Sequence, residues 1–214
     1  MSGGRGLFLD LDGTLADSLA AMRGVYDDFL REHDATGSDA EFDRLNGPPL
    51  AEVVAMLRTT HRLAPPLDAL VRRYREMVAA AQTSVAPAPG AAELLRHARA
   101  RGYRVAVVSS GDRAGVLRWL AHTGLDRFVD AVVGGDEVER GKPDPAPYRL
   151  ALARLGTPAA ASLAIEDSPS GARAAIAAGL PACVLTPAAA AAVRSSPLFQ
   201  AEVPSLAAAA AHLI

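Results

Sequence analysis

Five apolar runs of strand length punctuate the chain: Leu7-Phe8-Leu9, Val105-Ala106-Val107-Val108, Ala131-Val132-Val133, Leu163-Ala164-Ile165 and Ala182-Cys183-Val184-Leu185. They are apolar at consecutive positions instead of alternating, the pattern of strands covered on both faces. Four run into polar or Gly-rich turns, and helix-like segments over 90–101, 112–122, 145–155 and 169–178 lie between them. Strands of this kind alternating with helices predict an α/β fold, a doubly wound core around a mainly parallel sheet. The helix starts carry matching punctuation. Asp144 before Pro145 and Ser168 before Pro169 fit an N-cap followed by proline in the first turn, and Gly179 fits the exit of 169–178.

Residues 17–83 break this rhythm. They hold helical segments near 17–33, 49–60 and 66–82 and no convincing strand, which predicts an inserted all-helical cap. The chain returns through Val85-Ala86-Pro87-Ala88-Pro89-Gly90, a stiff, extended stretch. The expected organisation is therefore a core of 1–16 and 84–214 with a cap at 17–83, which suits 214 residues.

A formal charge of −2 with 21% charged residues offers no basic excess for nucleic acid or an anionic membrane. The Ala runs 188–192 and 207–211 are too short to span a bilayer, and the apolar segment before Asp10 is too short for an export signal. A lone cysteine, Cys183, in an apolar stretch forms no internal disulfide and reads as buried filler in a reducing compartment. These features predict a cytoplasmic protein.

The strongest chemical signal is Asp10-Leu11-Asp12-Gly13-Thr14-Leu15-Ala16-Asp17-Ser18, directly after the first strand. Side chains two apart on an extended segment share a side, so Asp10 and Asp12 converge while Leu11 turns away. Two convergent carboxylates repel. A cation or a raised pKa relieves the repulsion, leaving one group as a metal-bound nucleophile and the other as a proton donor. Taken alone, Asp-x-Asp-Gly is equally well an acidic helix-capping turn.

Three further segments fall at the carboxyl ends of strands, where a doubly wound fold collects its active-site residues. Ser109 follows Val105–Val108, and its hydroxyl with the amides of Ser110 and Gly111 offers a phosphoryl-binding turn. Lys142, in Gly141-Lys142-Pro143-Asp144-Pro145, is the single lysine among 22 basic residues. An otherwise all-arginine chain points to a need for a compact point charge there. Glu166-Asp167 ends a strand and precedes Ser168-Pro169, bringing hard oxygen ligands suited to Mg²⁺.

In this order the four segments resemble the four motifs of the haloacid-dehalogenase-like hydrolase superfamily, in the branch of phosphoglycolate phosphatases and β-phosphoglucomutases whose helical cap follows the first motif. The resemblance spans nearly the whole chain and implies a phosphatase. Asp10 is then the nucleophile and Asp12 the acid and base. Ser109, Ser110, Gly111 and Lys142 hold the phosphoryl group, and Asp10, Asp12 (through its backbone carbonyl), Glu166 and Asp167 hold Mg²⁺. Asp12 argues against a dehalogenase, and the absence of Lys from 17–83 against a phosphonatase. Residues 17–22 lack the His typical of the mutases, which favours a phosphatase over a sugar phosphomutase. A signalling domain of the phosphate-receiving kind would lack the cap.

The expected partner is a small phosphorylated molecule, a sugar phosphate or a phosphoglycolate-like compound, bound by a monomer or small homo-oligomer. Arg44 and Asn46, where related caps place a specificity loop, and Arg113, just past Ser109, are candidate substrate contacts.

Overall fold

The computed structural model describes residues 4–45 and 48–213. The apolar runs become strands β1 (Arg5–Leu9), β2 (Tyr103–Val108), β3 (Ala131–Val133), β4 (Leu163–Glu166) and β5 (Ala182–Val184), joined by β6 (Phe199–Glu202). The sheet order is β3-β2-β1-β4-β5-β6, and every pairing is parallel. A mainly parallel sheet was the expectation; among the described residues no strand runs the other way. β6 has no counterpart among the five runs, because it lies at the sheet's edge and alternates half-buried Phe199 and Ala201 with exposed Gln200 and Glu202.

Four helices fill the region after the first motif: α1 (Leu19–Arg31), α2 (Asp39–Leu45), α3 (Leu50–His61) and α4 (Leu67–Gln82). Those around the sheet are α5 (Ala91–Ala100), α6 (Arg113–Thr123), α7 (Ala146–Leu155), α8 (Pro169–Ala177), α9 (Pro187–Val193) and the short α10 (Leu206–Ala209). Pleating decides which layer each strand residue serves. Leu7, Leu9, Val105 and Val107 pack with α5 and α6, while Phe8, Ala106 and Val108 face α7 and α8. Leu7, Phe8 and Leu9 are fully buried, each stabilising by about 1.5–3 kcal/mol relative to exposure.

The helix boundaries follow local chemistry. Ser168 Oγ accepts the Gly171 amide at 3.0 Å, and Gly179 takes the left-handed turn, φ +86°, that ends α8. At α7 the expected cap is displaced: Pro145 occupies the cap position, and Asp144 Oδ1 accepts from Ala146 at 2.9 Å one step into the helix.

Helices α1–α4 enclose a hydrophobic cluster of their own, with Tyr26, Phe29, Leu30, Val54 and Leu57 completely buried and Phe29 edge-on to Tyr74, ring centroids 4.9 Å apart. The two chain segments that connect this bundle to the sheet run side by side. Asp17 donates to the Ala86 carbonyl at 3.0 Å and Ala88 to that of Leu15 at 2.8 Å, and Trp119 on α6 secures them by donating Nε1–H to the Val85 carbonyl at 2.9 Å. No helix among the described residues is long and apolar enough to cross a membrane.

Candidate active site

Because β2, β1 and β4 are parallel neighbours, their carboxyl ends share one edge, and the residues that follow them meet there. Asp10 leaves β1 with its amide still bonded to the Ile165 carbonyl at 3.1 Å, and Ser109 leaves β2 bonded to that of Val133 at 2.9 Å. The loop after Asp10 closes on itself, Ala16 donating to Leu11 at 2.8 Å and Gly13 to Ala16 at 3.0 Å. Gly13 is required twice over: its φ is +80°, and a Cβ there would overlap the Asp167 carboxylate.

Lys142 sits at the floor of this edge, only 3% exposed. Its ammonium donates to Asp10 Oδ1 at 2.6 Å, Glu166 Oε1 at 2.5 Å and the Val108 carbonyl at 2.9 Å. Three donors thus meet three acceptors. Burial by itself would depress the lysine pKa, but the carboxylates of Asp10 and Glu166 outweigh it and hold the ammonium protonated above its ordinary range.

Glu166 is fully buried. Its Oε1 also accepts from the Tyr148 hydroxyl at 2.6 Å, and its Oε2 from Ser168 Oγ at 3.3 Å. Gly171 admits it, since a Cβ there would collide with the carboxylate. The sequence places Glu166 among metal ligands; in the structure it is also clamped between Lys142 and Tyr148. Tyr148 was missed, although its place in the first turn of α7, six residues after Lys142, marks it as a side chain that turns back toward that motif.

Ligand oxygens of Asp10, Glu166 and Asp167 lie within 4.8 Å of one another, all three residues being buried. Three carboxylates against one ammonium leave two negative charges, and the donor set is all hard oxygen. Both facts suit a small dication such as Mg²⁺. Burial raises the Asp10 pKa well above the ordinary carboxylate range; the Lys142 charge opposes this, and Glu166 and Asp167 add to the rise. Asp12 is also raised by burial, opposed by the Ser18 hydroxyl and Lys142.

Asp10, Asp12, Ser110, Gly111, Lys142 and Asp167 border a single cleft of about 150 Å³, whose opposite wall comes from α1–α4. Ser109 is buried, with its hydroxyl accepting the Gly111 amide at 3.0 Å. That amide is thereby turned onto Ser109. The proposed specificity residues fall elsewhere: Arg44 is exposed on α2 and does not border the cleft, while Arg113 does not border it either and extends toward Glu137 at 3.7 Å. Asn46 lies outside the described residues. The wall residues that do border the cleft, among them Met22, Phe42, Val53 and Gln82, were not singled out from sequence, because an inward apolar residue on a helix reads as ordinary core.

Comparison with known proteins agrees with this arrangement. The profile of the haloacid dehalogenase-like hydrolase family matches residues 7–185. The chain is 34% identical over 205 residues to protein CbbY of Rhodobacter capsulatus, covering 86% of this chain and 85% of that one. It is 34% identical over 191 residues to a phosphoglycolate phosphatase of Rhodospirillum rubrum, covering 85% and 79%. CbbY from Rhodobacter sphaeroides, solved in complex with phosphate, superposes with a TM-score of 0.80 at 26% identity over 95% of each chain. The chain belongs to the haloacid dehalogenase-like hydrolase family, in its phosphatase branch.

Proposed function

We propose that the protein hydrolyses a small-molecule phosphomonoester in two displacements at Asp10, with Mg²⁺ as cofactor. The observation that carries this reading is the buried contact of the Asp10 carboxylate with the chain's single lysine at 2.6 Å, at the floor of a cleft that Asp12 and Asp167 also border.

An Asp10 oxygen attacks phosphorus, and the bond to the leaving oxygen breaks. Asp12, whose raised pKa keeps a proton available, transfers it to that oxygen. A water then gives its proton to Asp12 and attacks the aspartyl-phosphate, releasing phosphate and restoring Asp10. Lys142 and Ser110, the part of the Ser109 turn that borders the cleft with its amide not turned onto Ser109, hold the phosphoryl oxygens. Glu166, gripped by Lys142 and Tyr148, fixes the ammonium in place. The Asp10 and Asp167 carboxylates, the Asp12 carbonyl and Glu166, directly or through water, would hold Mg²⁺, whose positive charge would let carboxylate and phosphate approach. A reducing cytoplasm is the fitting compartment, where Cys183, buried with its thiol pushed up to about 11, stays inert.

Phosphate release from small phosphomonoesters with Mg²⁺ tests the reading. Asp10→Asn and EDTA are each expected to lower it on the order of 10³-fold or more. Release that survives Asp10→Asn removes the nucleophile assignment; conversion of a sugar phosphate without release would identify the phosphomutase alternative instead.

A further inference from the structure

The cleft has two chemically unlike halves. Its floor carries the carboxylates and Lys142, whereas the wall opposite is built mainly from Leu19, Met22, Phe42, Val53 and Val78, with Tyr74 and Gln82 as its polar members. No arginine or histidine borders the cleft among the described residues, although α1–α4 carry several, and neither Asn46 nor Gly47 could add a charge. Arg23, next to Met22 on α1, does not border the cleft; it lies over the Phe42 ring at 5.5 Å and is tied to Asp27 and Asp39. At the mouth Leu19 is 41% exposed, an apolar side chain left in water beside the opening.

We infer that the group esterified to the phosphate is uncharged and apolar, such as a ring or a branched hydrocarbon chain. The inference rests on the phosphatase reading and names its substrate class. A leaving group with a carboxylate or second phosphate would bring an anion against this wall, where no basic side chain among the described residues meets it, Lys142 and Mg²⁺ serving the transferring phosphoryl group. A polyhydroxyl leaving group would mostly exchange water for methyl and ring carbons, with only Tyr74 and Gln82 on this wall to meet its hydroxyls. An apolar body gains from the same wall, by about fourfold per buried methylene. The same wall disfavours a sugar hydroxyl as phosphoryl acceptor and leaves water to that role.

The test compares kcat/KM for propyl, butyl and benzyl phosphate with glycerol 3-phosphate and phosphoglycolate. All are primary alkyl esters, so intrinsic leaving-group reactivity varies little across the set. The expected order rises from propyl to benzyl, with glycerol phosphate about tenfold below butyl phosphate and phosphoglycolate about a hundredfold below it. In Met22→Arg, which sets a cation in the wall, the gap between benzyl phosphate and phosphoglycolate should narrow at least about tenfold. Phosphoglycolate or glycerol phosphate outrunning butyl and benzyl phosphate overturns the inference while the phosphatase reading stands. Release from none of the five, with wild type no better than Asp10→Asn, overturns that reading and the inference with it.

Discussion

Lys142 shows how a residue's identity follows from its surroundings. Its three acceptors lie around one nitrogen in a site with almost no solvent contact, a geometry for a point charge and not for a planar guanidinium. The solitary lysine was therefore legible as an exception in the sequence, but its partners were not. Tyr148 and Glu166 are 18 residues apart and meet only through the fold. The acids around it carry a consequence for stability. Asp10 has a folded pKa raised by burial above the ordinary 3.8, so between that value and the raised one the folded state keeps a proton that the unfolded state has lost. Stability of the metal-free protein should therefore fall as pH rises through this window. Urea midpoints measured with EDTA from about pH 4 to pH 8 check it. The decline should shrink in Asp10→Asn and when Mg²⁺ is present; an equal slope in all three would remove Asp10 as its source.

Among the elements, β1–β5 were readable because a strand buried on both faces is written as continuous apolar sequence. β6 was not, since an edge strand carries polar residues on one side and its run is broken by them. α2 was overlooked despite a signal. Ser38 stands three residues before Glu41, the spacing of a capping box, and its hydroxyl accepts the Glu41 amide at 3.2 Å. The paired connections at Leu15–Asp17 and Ala86–Ala88 are the elements on which any motion of α1–α4 must turn. Trp119→Phe removes the donor to the Val85 carbonyl and should lower unfolding free energy by about 1–3 kcal/mol, read from urea denaturation. An unchanged midpoint would mean that this bond contributes nothing to holding the connection.

At the scale of the molecule, a sheet-centred layer structure and a four-helix unit with its own hydrophobic cluster face each other across the cleft. A reaction that needs water excluded and then admitted fits a cap at 17–83 that closes over the 1–16 and 84–214 core. Limited proteolysis near 83–90 or 14–18 should then slow when Mg²⁺ and vanadate, a phosphate mimic, are added together, and cleavage at the same rate would count against closure. The division of labour between sequence and tertiary structure follows the range of the forces involved. Strand pattern, helix punctuation and the four motifs are short-range properties, and Asp10, Asp12, Ser109, Lys142 and Asp167 could be named from them. Arg44 was chosen because related caps place a specificity loop there and Arg113 for its nearness to Ser109 in sequence, and the fold set both outside the cleft. What faces the substrate is decided by the rotation of helices about a shared core, where an inward methionine or phenylalanine looks the same in sequence whether it meets other side chains or an open cleft. The sequence by itself determined the carboxylates and the lysine of the cleft's floor; only the packing of α1–α4 over the sheet determined the largely apolar wall that meets it.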